Sequence, residues 1–196
     1  MKVMVVFTIL CALMCVISCD DDGVSNNETS SVIMPLTVGN SWTWERLGRD
    51  TLGDTIWIDT CHNIVVSDTT IDSETWYKLV SNCGKVGLKA NRSDGLWSRI
   101  SPDETDLIAK YPASVGDHWF NQGSTTQLST IVTDTVITVP AGTYSCIGYQ
   151  WDHINGSNSF GINFYAVNIG IVMHQYWPYG SLEEQVTTTL IDFDLK

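Results

Sequence analysis

Cys19 is the residue whose type and neighbours carry the most definite chemistry in this chain. It follows Val16-Ile17-Ser18, closes an apolar run over 3–17 that opens with Lys2, and precedes Asp20-Asp21-Asp22. A positive start, a short apolar core and a small residue before the cut make a cleaved export signal. Branched apolar residues and a serine just before the cysteine match a lipoprotein cleavage box, in which the thiol is acylated and becomes the new N-terminus. Cys11 follows Leu10 and Cys15 follows Met14, both too bulky at the cleavage position. The run is at or below the short end of the roughly 17–25 residues that span a bilayer, so a retained anchor helix is the weaker reading. An ordinary signal followed by an unmodified Cys19 is weaker too. The expected organisation is a signal at 1–18, a lipidated Cys19 with an acidic tether over 19–33, and one body over 34–196. Acyl chains contribute about 0.8 kcal/mol per buried CH₂. The lipid is then the membrane contact, and the body needs none of its own.

Other residue types offer less chemistry. Cys61, Cys83 and Cys146 remain in the body. An exported compartment permits disulfides, and an odd number leaves one thiol over. Cys61 and Cys83 fall in neighbouring strand candidates, at a spacing compatible with a cross-strand bridge. Cys146, after a Pro-Ala-Gly turn, reads as a small buried residue. With no CxxC or HExxH spacing, no metal site is expected. His62, His118, His153 and His174 are isolated from one another in sequence. His153 shares a strand face with Trp151 and His174 shares one with Tyr176. Both pairs are placed to line a pocket, although a half-buried histidine with a satisfied hydrogen bond is the plainer account. Trp177-Pro178-Tyr179-Gly180 forms an aromatic hairpin tip. Trp151, His153, Trp177 and Tyr179 are therefore the candidate ligand contacts. No G-x-S-x-G elbow or phosphate-cradling glycine loop is present, so no catalytic residue and no cofactor are assigned.

The elements that must position these residues are strands. Eight Trp, seven Tyr and five Phe argue for a folded body. Removing residues 1–18 takes away Lys2 and no acid, so the net charge of −12 becomes −13. Such a surface disfavours nucleic acid. Strand-forming runs fall at 41–48, 54–66, 75–82, 85–91, 95–100, 105–110, 126–139, 143–154, 160–167, 170–177 and 183–195. Ile147, Tyr149 and Trp151 alternate with Gly148, Gln150 and Asp152, a period of two that buries one face. No convincing helical stripe follows the signal. The expectation is an all-β, antiparallel half-barrel, barrel or sandwich of about 10–12 strands, because open edges must be closed or covered.

A pattern recurs within the body. Residues 35–42 (PLTVGNSW) and 112–119 (PASVGDHW) share P-x-x-V-G-[N/D]-x-W. Gly39 and Gly116 suit a turn needing positive φ, and Trp42 and Trp119 then anchor the following strand on the core. Each copy opens a run of strands, so two β-units over 35–110 and 111–196 are expected. Paired ligand loops are the functional alternative, and the structural reading is favoured.

These motifs, with 94–97 (DGLW), 139–144 (VPAGTY) and 165–172 (YAVNIGIV), come in an order that resembles a broad group of bacterial envelope lipoproteins. The resemblance spans most of 34–173. It implies a half-barrel somewhat like the lipoprotein-carrier domains that cradle acyl chains, and it carries over no catalytic residue. Asn168 stands where a second glycine is common, and Trp44 where tyrosine is common. The acidic run after Cys19 is similar to signals that send lipoproteins to the outer surface in some Bacteroidetes-like bacteria. In other bacteria an Asp there favours the inner membrane. The outer membrane is the favoured address. Three functions compete: a binding module for an acyl chain or other apolar ligand, a structural or protein-interaction lipoprotein of the envelope, and, well below both, an enzyme.

Overall fold

The computed structural model of the chain describes residues 31–84, 86–121, 127–153, 159–178 and 185–196. Twelve strands follow one another: β1 Ser41–Arg49, β2 Thr55–Ile71, β3 Glu74–Ser81, β4 Gly87–Arg92, β5 Gly95–Ser101, β6 Glu104–Lys110, β7 His118–Phe120, β8 Gln127–Val139, β9 Gly142–His153, β10 Phe160–Ala166, β11 Gly170–Trp177 and β12 Gln185–Asp194. They form one antiparallel sheet in the order β6-β5-β4-β3-β2-β1-β12-β11-β10-β9-β8-β7. Each half of the chain is thus a six-strand meander, and the halves join where β1 pairs with β12. The eleven expected runs are all strands, and the twelfth, β7, is only three residues long.

Strands β6 and β7 are consecutive in the chain yet lie at opposite edges of the sheet. The short connector 111–117 can join them only if the sheet curls on itself. Among the described residues no backbone ladder closes the seam, so the fold is an open, curled sheet and not a closed barrel. Side chains bridge it instead. Trp119 Nε1 donates to the Leu107 carbonyl at 2.9 Å, and the Tyr149 hydroxyl donates to the Lys110 carbonyl at 2.8 Å. Lys110 Nζ meets Asp117 Oδ2 at 2.9 Å. Edge carbonyls that would otherwise stay unpaired gain partners in this way.

The curl encloses the main core on the inner face. Trp42, Val65, Leu190, Val172 and Ile131 are all at most 1% exposed there. Segment 31–36 runs into this space: Ile33, Met34 and Leu36 are buried. Its backbone is held at Val32, whose N–H reaches Asn168 Oδ1 and whose carbonyl accepts from Asn168 N, and at Met34, whose carbonyl accepts from Asn91 Nδ2. Ile33, which the sequence places in the tether, is 1% exposed, so the folded body already includes it. All the strands and the whole described core lie within 31–196. A second, smaller cluster lies on the outer face of the first half, around Trp76, Ala90 and Trp97.

The two PxxVG turns are built alike. Gly39 and Gly116 have φ of 97° and 96°. Gly39 N donates to Val65 O and Gly116 N to Ile131 O, while Val65 N and Ile131 N donate back to Asn40 O and Asp117 O. In both copies a bulge follows directly on the partner strand, at Val65/Ser67 and at Ile131/Thr133.

Candidate functional site

In a meander the connections alternate between two ends. The N-terminal segment enters at the end that also carries the turns after β2, β4, β8 and β10. The opposite end carries those after β1, β3 and β5 and the last residues of β7, β9 and β11. Toward this far end the inner face opens into a cavity of about 430 Å³. Strands β1, β2, β10, β11 and β12 and the β3–β4 connection surround it.

The register of the ladders explains its chemistry, since direct cross-strand partners face the same side. One row runs Cys61–Trp44–Leu190 and forms an apolar floor. The next runs Asp59–Arg46–Thr188–His174–Asn163 and is polar throughout. The third runs Trp57–Gly48–Val186–Tyr176–Gly161–Trp151–Ser129–Trp119, alternating rings with small residues. The two glycines make this last row fit. A Cβ at Gly48 would come within 2.2 Å of the Trp57 ring, and one at Gly161 within 2.6 Å of the Trp151 ring. The indoles lie over backbone that carries no side chain. Trp151 also stacks on Tyr176 at 5.6 Å between ring centroids, and Tyr176 on His174 at 6.3 Å.

Three polar groups define the electrostatics. Arg46 Nη1 is 3.5 Å from Asp59 Oδ2 and 3.7 Å from Cys61 Sγ, and its guanidinium lies 5.3 Å from the Trp57 ring centre. Burial, followed by the charge of Arg46, pushes the His174 pKa down to about 4, so its imidazole is neutral at pH 7. Asn63 Oδ1 is buried and has no hydrogen-bond partner among the described residues. Cys61 and Cys83 are joined in a disulfide that forms part of the wall. Asp59 lies close to both sulfurs, within 4.8 Å, but disulfide sulfurs are not thiolates, so this group offers no thiolate to a metal. Cys146 is free and buried, its thiol pushed up to about 11 by desolvation. It is not a nucleophile at neutral pH.

The sequence candidates separate. Trp151 and His153 lie on the inner face, their rings 5.7 Å apart, and Trp151 borders the cavity through its stack on Tyr176. Trp177 does not join them. It pairs with Phe160, which pairs with Asp152, one residue out of phase with Trp151, so it faces outward. There it stacks on Phe160 at 4.5 Å. One ligand inside the sheet cannot touch all three. Tyr179 and Cys19 lie outside the described residues. Trp42 is fully buried and donates to Ile169 O at 2.7 Å, whereas Trp119 is half-buried at the seam. Arg46, Asp59 and Asn63 were not singled out from sequence. The available signal was glycine inside two strands, Gly48 and Gly161, a mark of close approach.

Among solved structures, the chain is similar to a protein from Bacteroides fragilis described as exported and as having a YmcC-like fold. The two share 16% identity at a TM-score of 0.50, over 84% of this chain and all of that one. It is also similar to a protein from Parabacteroides distasonis described as a lipoprotein, at 15% identity and a TM-score of 0.42, over 84% of this chain and 99% of that one. No family model and no curated protein matches the chain. The first likeness supports the fold.

Proposed function

We propose that this is a lipid-anchored protein of the cell envelope whose body holds a small apolar or amphiphilic ligand without transforming it. The observation that carries the reading is the inner cavity of about 430 Å³, with Trp44, Ile171, Val186 and the Cys61–Cys83 bridge among its walls. Its volume falls in the roughly 300–1,000 Å³ range of small-molecule sites. An acyl chain needs apolar contact, and Trp44, Ile171, Val186 and the bridge supply it in a cavity that is open to water on one side. The polar groups here do not form a nucleophile–base pair: the buried thiol is Cys146, and it does not line this cavity.

Topology supports the anchor. Chain entry and the cavity lie toward opposite ends of the sheet, and residues 20–30 can reach at most ~40 Å when fully extended. Lipid on Cys19 would hold the entry end near the bilayer and leave the cavity facing away. The outer membrane is the preferred site. Native mass spectrometry of residues 20–196, which hold the whole described fold, tests the binding reading. A co-purified mass that leaves on denaturation and matches a lipid is the expected result. A bare mass that stays bare after incubation with fatty acids and lysolipids rejects it. A second reading, an envelope protein that works through contacts, rests on Phe160 and Trp177 stacked on the outer face at the far end. A photo-crosslinker at position 177 that captures one envelope protein in living cells would favour it.

A further inference from the structure

We propose that the ligand of this cavity is an anion, a carboxylate carried on an apolar body, and that Arg46 receives the carboxylate. The inference rests on the binding reading above and names the class of molecule.

The argument begins with what Arg46 lacks. A guanidinium has five N–H donors in a planar fork. Among the described residues only Nη1 finds acceptors, Asp59 Oδ2 at 3.5 Å and Cys61 Sγ at 3.7 Å, both at the long limit of hydrogen bonding. Compare Arg92 on the outer face, which grips Glu74 with two bonds of 2.7 and 2.8 Å. The protein can therefore build a bidentate pair and does not build one at Arg46. Asp59 is the direct cross-strand partner of Arg46, but it is 47% exposed and no closer than 3.5 Å, so the charge of Arg46 is only partly answered. Partial burial makes an incompletely paired cation costly, and a carboxylate from solution would lower that cost.

The neighbours fit the same ligand. His174 lies across Thr188 from Arg46 in the polar row. Its imidazole is neutral and can donate one N–H to the second carboxylate oxygen without adding a charge. The Thr188 hydroxyl lies between them in the row. The rest of the lining takes an apolar body: the Trp44 indole, Ile171, Val186 and the face of Tyr176. A cationic ligand would meet Arg46 at close range. A neutral hydrocarbon would leave the remaining N–H donors of Arg46 without an acceptor.

The test compares dodecanoate with dodecan-1-ol, which share a tail and differ in charge, by titration calorimetry on residues 20–196 below the concentration at which either aggregates. Dodecanoate is expected to bind at least tenfold more tightly. Arg46→Gln should cost dodecanoate tenfold or more and leave the alcohol unchanged. Asp59→Asn, which removes the competing carboxylate, should tighten dodecanoate several-fold. Equal affinity of acid and alcohol on the unaltered protein would overturn the anion assignment and leave the cavity reading intact. Binding of neither would overturn both.

Discussion

The two copies of the P-x-x-V-G-x-x-W motif make the same turn and meet opposite surroundings. In the first, Asn40 is fully buried; its Nδ2 donates to Pro35 O at 3.0 Å and its Oδ1 accepts from Lys196 N at 2.8 Å. In the second, Asp117 is a third exposed, pairs with Lys110, and accepts from Ser114 N at 3.2 Å. The backbone asks the same of both positions. What differs is water. A buried site needs a neutral group that both donates and accepts, whereas an exposed one tolerates a charge with a cation beside it. The strand that follows differs likewise: β1 is paired on both sides over nine residues, and β7 is a three-residue edge. A repeated motif fixes a local conformation, and its place in the sheet decides how much stability it carries.

The tryptophans should show the largest contrast. Trp42→Ala removes a fully buried indole and its bond to Ile169 O, and should cost about 3–5 kcal/mol. Trp119→Ala, half-buried at the seam, should cost about 1–2 kcal/mol. Urea unfolding midpoints at constant m measure both. Equal losses would mean that the seam contributes as much as the centre of the sheet, and the comparison would fail.

The halves also differ in covalent restraint. The bridge Cys61–Cys83 spans a separation of 22 residues in the first half, and the described residues of the second half contain only the free Cys146. Replacing both bridged cysteines by alanine should lower stability by about 3 kcal/mol through loop entropy in the unfolded chain. A smaller effect follows from exchanging the turn residues. Asn40→Asp places a carboxylate against the Pro35 carbonyl and should cost on the order of 2–3 kcal/mol. Asp117→Asn loses a solvent-screened ion pair and should cost far less than the Asn40 change. Paired denaturation curves for the two reciprocal variants decide whether burial explains the Asn/Asp choice. A costly Asp117→Asn would sink that explanation.

Much of the fold is legible locally. Strand-forming runs bounded by turn residues mark eleven strands, several of them with period-two alternation, and Gly-Asn and Gly-Asp mark the two turns. Strand β7 escapes because three residues carry no period. Residues 31–33 escape because Ile33 follows a polar stretch and belongs to no strand, so nothing in its own pattern says that it packs inside the sheet. The cavity escapes for a different reason. Arg46, Thr188 and His174 become neighbours only through the register of β1 with β12 and of β12 with β11. Trp151 and Trp177 are both aromatic residues near strand ends, and only the pairing of Gly161 with Trp151 and of Phe160 with Trp177 sends them to opposite faces. Faces within one strand can be read from sequence, but the phase between distant strands cannot.

A last contrast separates the interiors of the two halves by pH. Each half holds one inward-facing base with a lowered pKa. Lys89, between Tyr77 and Ser98, is pushed down to about 8 by burial, against the pull of Asp106. His174, among Arg46, Thr188, Asn163 and Tyr176, is pushed down to about 4. Lys89 acts between 10.5 and 8: the unfolded chain carries its proton there and the folded chain sheds it, so that window lies on the alkaline side. Between pH 6.5 and 4 the unfolded chain binds a proton at position 174 that the folded chain refuses. Stability should therefore fall as the solution is acidified through that window. The loss assigned to His174 is on the order of 1–2 kcal/mol, less than the full shift implies because the cavity is open to water. Carboxylates such as Glu74 and Asp117, whose pKa values are lowered by Arg92 and Lys110, lose their stabilising charge on the same acid side. The difference between the unaltered chain and His174→Gln isolates the histidine. Glutamine cannot take the proton, so the variant should lose less stability than the parent between pH 6.5 and 4 and match its slope above pH 7. Identical curves would show that His174 titrates in water, and that the polar row of the second half is wetter than its burial implies.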